Sequence, residues 1–128
     1  FEPYQNITTS IVRGETDQTA ETAAFADYDA GNFAAAEIKL AALEKSDVHQ
    51  FYLGQSLLAQ EKFDEASSIF TTLSKTTDFP LAKEAGYYNA LTVLGQGKVD
   101  EARNALTKIS QDTTHPMQQQ AEKLLVKM

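Results

Sequence analysis

A string of residues that recurs at a fixed distance constrains this chain more than any other feature. Lys62-Phe63-Asp64-Glu65-Ala66, followed by Phe70 and Leu73, stands 36 residues before Lys98-Val99-Asp100-Glu101-Ala102, followed by Leu106 and Ile109. Pro80 and Pro116 keep the same offset, so the punctuation repeats together with the hydrophobic pattern. A third copy lies upstream in Gly31-Asn32-Phe33-Ala34-Ala35-Ala36, with Leu40 and Leu43 at the same spacing after Ala36. Ala36 to Ala66 is 30 residues and Ala66 to Ala102 is 36, a mean of 33. Self-similarity at such a period marks stacked helical pairs, because one pair cannot bury its apolar face alone.

Each copy reads as two helices. Segments near Asp17 to Ala30, Asp47 to Gln60 and Phe79 to Gly95 carry apolar or small residues at helical spacing. Their one proline, Pro80, falls in a first turn, where a missing N–H is tolerated. Asp47, with Gln50 three residues on, together with Asp78 and Thr114, supplies oxygens able to cap helix starts. Gly31 and the Gly95-Gln96-Gly97 stretch give the interhelix turns a permissive backbone, and in the middle copy Glu61 stands there instead. The stretch from Pro116 to Met128 reads as a capping helix whose polar face closes the last repeat.

Composition narrows the function classes. The chain holds 128 residues with a formal net charge of −7 and no cysteine. That is one domain's worth of chain, long enough to fold without disulfides or a structural metal. Without cysteine there is no thiolate nucleophile, iron–sulfur cluster or Cys-ligated zinc. An acidic chain with two arginines lacks the basic footprint that phosphate backbones require, so no nucleic-acid partner is expected. The first 47 residues hold nine of the 18 acids against three bases, which reads as a solvated acidic surface. No apolar run approaches the roughly 18 residues of a membrane span. The start at Phe1, without an initiator Met or a signal-type apolar run, leads us to expect a mature or excised piece.

At these repeated positions the chain resembles the tetratricopeptide repeat family. The family's pattern of small and large residues is met in the middle copy by Leu53, Gly54, Leu57, Phe63, Ala66 and Phe70. The third copy meets it with Ala90, Val93, Gly97, Val99, Ala102 and Leu106. In the first copy Ala23, Ala24, Gly31, Phe33, Ala36 and Leu40 match, but Asp27 stands where an apolar residue is usual. The resemblance covers about residues 16 to 128. It implies an all-α, right-handed superhelical stack of antiparallel helix pairs, a solenoid of three repeats at about 16–46, 47–78 and 79–113 with a capping helix at about 114–128. Residues 1–15, which mix aromatics, β-branched residues, Pro and Gly without helical period, form a separate irregular segment. Their apolar members, Phe1, Tyr4, Ile7, Ile11 and Val12, lead us to expect part of it against the first repeat. The segment is also similar to the juxtamembrane stretch of bacterial membrane-anchored tetratricopeptide proteins. That likeness implies an extracytoplasmic or periplasmic location and a tether preceding the chain; a cytoplasmic location is the alternative.

Catalytic constellations are missing from the sequence. His49 and His115 fall in different linkers with no carboxylate cluster beside them, so neither catalysis nor a metal is expected of them. The adjacent pairs Asp64-Glu65 and Asp100-Glu101 diverge on a helix instead of converging on a bond. Gly95-x-Gly97 lies between helices, not after a strand, and reads as a turn. No cofactor and no enzymatic activity are expected.

What remains is a surface. In the resemblance, the first helix of each pair lines the concave face, which places Phe25, Tyr28, Phe51, Gln55, Leu58, Glu84, Tyr87 and Leu91 there. The basic and amide residues with which some relatives clamp an acidic C-terminus are replaced by Glu21, Phe25, Tyr52, Glu84 and Tyr88. A face of this kind suits an apolar peptide or helix, with Phe51 and Tyr87 as anchors. The opposing possibility is that Phe25, Tyr28, Phe51 and Tyr87 pack between repeats or under the N-terminal segment. The expected function is therefore non-catalytic binding of a protein or peptide. The alternative is a tethered assembly or signalling domain that self-associates as a homo-oligomer, its concave face filled by its own chain or by a second copy.

Overall fold

The computed structural model describes residues 3–5 and 19–128, and within these every regular element is a helix. They are α1 (Thr19–Asp29), α2 (Phe33–Ala42), α3 (Asp47–Ala59), α4 (Phe63–Ser74), α5 (Ala82–Gly95), α6 (Val99–Ser110) and α7 (Gln118–Lys127). The fold is all-α. The chain divides into two compact units, residues 1–62 and 63–128. In the first, α1 packs on α2 and α2 on α3; in the second, α4, α5, α6 and α7 pack each on the next. The expected helix start at Asp17, and all of residues 6–18, lie outside the described residues.

Three helices end in the same hydrogen-bonded turn. After α3 the Lys62 N–H donates to the Leu57 carbonyl and the Glu61 N–H to that of Leu58; after α5 Lys98 and Gly97 do the same with Val93 and Leu94. After α1 the donors are Asn32 and Gly31, the acceptors Asp27 and Tyr28. This paired capping needs one residue in the left-handed region. Gly31 (φ 82°) and Gly97 (φ 87°) meet that need without a Cβ, whereas Glu61 occupies it with φ 63°.

Helix starts differ from the sequence expectation. Ser46, not Asp47, caps α3: its Oγ accepts from the His49 N–H at 3.1 Å, while Asp47 is the first helical residue. Asp78 and Thr114 cap nothing. Helix α5 begins at Ala82 after Leu81, and α7 at Gln118 after Met117, neither with a side-chain cap. Pro80 and Pro116 thus sit two residues ahead of their helices, each in a turn closed by Ala82 N–H to Phe79 O or by Gln118 N–H to His115 O. Thr114 instead donates, through its N–H and its hydroxyl, to Asp112 Oδ1.

Within each unit the contact surfaces are built on small residues. Ala24 and Ala36 are fully buried in the first, and Ala66, Ala85, Ala102 and Ala121 in the second. Asp27, the departure from the apolar pattern, is matched by Lys39 across the α1–α2 pair at 2.6 Å. Glu37 on α2 accepts from Lys62 Nζ and Gln60 Nε2, both at 2.9 Å. The Lys62 ammonium holds the Glu37 carboxyl below the usual carboxylate range. Gly95 has a different role from the turn that its spacing predicts. It is the last residue of α5, and a Cβ there would stand 2.3 Å from the Phe63 ring.

Three substitutions follow. Glu61→Gly removes the left-handed strain of a side chain and should stabilise the chain by about 1 kcal/mol, raising the melting temperature by a few degrees in a thermal scan. Gly97→Ala should do the reverse. Gly95→Ala improves helix propensity by about 1 kcal/mol but drives a methyl group into Phe63. Overpacking of this kind costs about 1–3 kcal/mol, so the net change in denaturant unfolding should be destabilising.

Candidate functional site

Five of the expected inner-face residues lie in the first unit. Phe25 and Tyr28 come from α1, and Phe51, Gln55 and Leu58 from α3; all five are buried. Heptad-like spacing puts each set on one helix face, and the rings meet at Tyr52 on α3. Tyr52 stands edge-on to Phe25 (5.2 Å between centroids), Tyr28 (5.1 Å) and Phe51 (5.3 Å). This aromatic cluster is covered by main chain. Residues 3–5 lie across it, with the Tyr4 ring edge-on to Phe51 at 5.3 Å.

Three hydrogen bonds to that segment go to its backbone. The Tyr4 N–H donates to Gln55 Oε1 at 3.2 Å. The Tyr28 hydroxyl donates to the Tyr4 carbonyl, and the Tyr52 hydroxyl to the Gln5 carbonyl at 2.9 Å. Gln55 is fully enclosed, and its Nε2 has no hydrogen-bond partner. An enclosed amide donor without an acceptor costs about 1–3 kcal/mol, so this group is under strain of a chemical kind.

Burial changes the role open to Phe51. Its exposure is 0%, so it is a core ring and not a free anchor; truncation to Ala would cost about 3–5 kcal/mol. Any part it takes in binding runs through the ring set edge-on against it. Tyr52 joins the site although only its neighbour Phe51 stands in the expected set. The signal was present in the doubled aromatics Phe51-Tyr52 and Tyr87-Tyr88, again 36 apart.

The other three residues, Glu84, Tyr87 and Leu91, lie on α5 in the second unit. Tyr87 is edge-on to Tyr88 at 5.1 Å, and burial pushes its phenol above the usual tyrosine value. Glu84 is buried and Leu91 half-buried.

Both histidines are engaged in contacts within their own unit. His49 belongs to α3 instead of a linker, and the fold brings it a carboxylate that sequence proximity did not: Nε2 lies 2.6 Å from Glu21 Oε2. Its Nδ1 faces the Glu44 carbonyl at 2.9 Å, so both ring nitrogens are occupied in tying α1 and the 43–46 loop to α3. His115 accepts the Met117 N–H on Nδ1 at 3.0 Å. Desolvation holds its pKa below 6.5 despite the opposing charge of Asp112. Among the described residues no group of three or more His, Cys, Asp or Glu side chains could hold a metal ion, and no helix is long and apolar enough to cross a membrane.

His115 generates a pH prediction. Its folded pKa is depressed, so the unfolded chain binds the proton more readily; its contribution is complete above the ordinary value of 6.5 and is lost as pH falls through that value. Urea midpoints should decline on acidification from about pH 7.5 to 5.5, a window set by unperturbed histidine. His115→Asn, which keeps an acceptor for Met117 and does not titrate, should flatten that decline.

Comparisons of the chain with protein-family models, with curated proteins and with solved structures find no match.

Proposed function

We propose that this chain is a non-catalytic protein-interaction module of tetratricopeptide-like, right-handed architecture, and that it binds a segment of a partner polypeptide on the faces of its first helices. One observation carries the reading. Side chains of α1 and α3 hold a short stretch of polypeptide by its main-chain N–H and carbonyl groups. Groups that satisfy a strand's backbone while an aromatic face takes one side chain are the parts of a peptide-binding site. Support for the repeat architecture comes from the left-handed turn residues Glu61 and Gly97 and the buried Ala66 and Ala102, each pair 36 residues apart.

A second reading is favoured by the same segment. A face filled by its own chain is what a self-associating, membrane-tethered extracytoplasmic domain would present, with exchange of the segment between copies as the route to assembly.

Selection from a display library of random 12-residue peptides on the immobilised full chain tests the first reading. Enrichment of peptides that share an aromatic position, with loss of capture by the Tyr28→Phe, Tyr52→Phe variant, is the expected result. Those substitutions keep both rings in the core and remove only the hydroxyls. Absence of enrichment, or peptides retained by the variant, would remove the site from α1 and α3.

A further inference from the structure

We infer that the seat of residues 3–5 is a receptor for a short segment of another protein that carries an aromatic side chain, and that the chain's own N-terminal stretch is its resident, displaceable occupant. This rests on the reading of the chain as a protein-binding module and adds to it the ligand class and the gate.

The seat asks little of its occupant's sequence. Gln55 Oε1 takes one N–H, and the Tyr28 and Tyr52 hydroxyls reach two successive carbonyls. All three partners are atoms that every peptide has. Beyond them, the Tyr4 ring against Phe51 sets a requirement for an aromatic side chain.

The resident also fills the seat incompletely. Gln55 presents a carboxamide to the segment, with its oxygen engaged and its Nε2 enclosed and without a partner. A guest whose main chain brings a carbonyl to Nε2 makes one hydrogen bond more than residues 3–5 do. That deficit also selects between sources of guest. The same segment from a second copy would leave Nε2 just as unsatisfied and would forgo the advantage of being covalently attached, so the exchange gains nothing. A different protein's segment can gain.

Attachment is what keeps the resident in place without a guest. Thirteen residues join Gln5 to the start of α1, and a connection this short holds the segment at a high effective concentration over the seat. A guest's apparent affinity is then reduced by the fraction of chains whose seat is open.

The probe is a fluorescent peptide with the sequence of residues 1–8, the one sequence shown to place its tyrosine here. Its anisotropy is titrated with the full chain and with full-chain variants, whose helicity and melting are checked by circular dichroism. Tyr4→Ala weakens the resident alone and should bind the peptide about tenfold or more tighter than the parent does. Adding Tyr28→Phe and Tyr52→Phe to Tyr4→Ala should abolish that gain. Equal binding by the parent and Tyr4→Ala would overturn the gate and leave the receptor standing. No binding by either would overturn the receptor itself, and with it the placement of the binding function on α1 and α3. If sedimentation shows a parent dimer that Tyr4→Ala disperses, the guest is the segment of a second copy, and the assignment to another protein fails.

Discussion

Helices can approach one another closely only where their side chains are small, and each unit of this protein depends on that. Ala24 and Ala36 are fully enclosed in the first unit; Ala66, Ala85, Ala102 and Ala121 are in the second. An alanine at the crossing lets two backbones come near the lower end of the usual interaxial range. The larger side chains, Leu40, Phe70 and Leu106, then fill the space to either side at crystal-like density. Gly95 is the extreme case, with the Phe63 ring lying where a Cβ would be. Position along the chain thus matters more than hydrophobicity: a larger apolar residue at any of these points would push a pair apart.

Charge is used within this frame to tie neighbouring elements. Lys39 answers Asp27 across α1 and α2, Lys62 answers Glu37 across α2 and the end of α3, and His49 joins Glu21 to the loop before α3. These pairs are partly exposed, and exposed pairs contribute little each, so they guide alignment more than they stabilise. Asp27 is accommodated within the α1–α2 pair by the Lys39 ammonium.

Much of this was legible in the residues because repetition amplifies weak local signals. The offset between Lys62-Phe63-Asp64-Glu65-Ala66 and its later copy placed α4 and α6 with their buried alanines, and the left-handed turn was readable at Gly31 and Gly97. Glu61 takes the same left-handed turn without being glycine, so residue type alone does not mark it. Capping was less legible, since Ser46 and Asp47 are both good capping residues and only the backbone trajectory decides between them. The starts of α5 and α7 shifted because proline constrains the residue before it as well as itself. Of the candidate face, the α1 and α3 residues were named from the register of the resemblance. That part of the N-terminal segment lies against the first repeat was expected from its apolar residues, but the atoms that hold it were not, because Tyr4 and Gln55 are 51 residues apart and no local pattern encodes such a contact. The resemblance supplied the first helices of each pair as the lining, and the structure added Tyr52.

The manner in which residues 3–5 are held bears on how this region can change over generations. Two tyrosine hydroxyls and one carboxamide oxygen address only peptide groups. Those groups are present whatever the gene encodes, so the alphabet read at positions 3 and 5 is nearly blank, and mutation there can wander without loosening the hold. Position 4 alone spells a letter. An N-terminal stretch that looks unrelated between two such proteins could therefore occupy the same seat in each, with a single aromatic residue as the trace of their common arrangement.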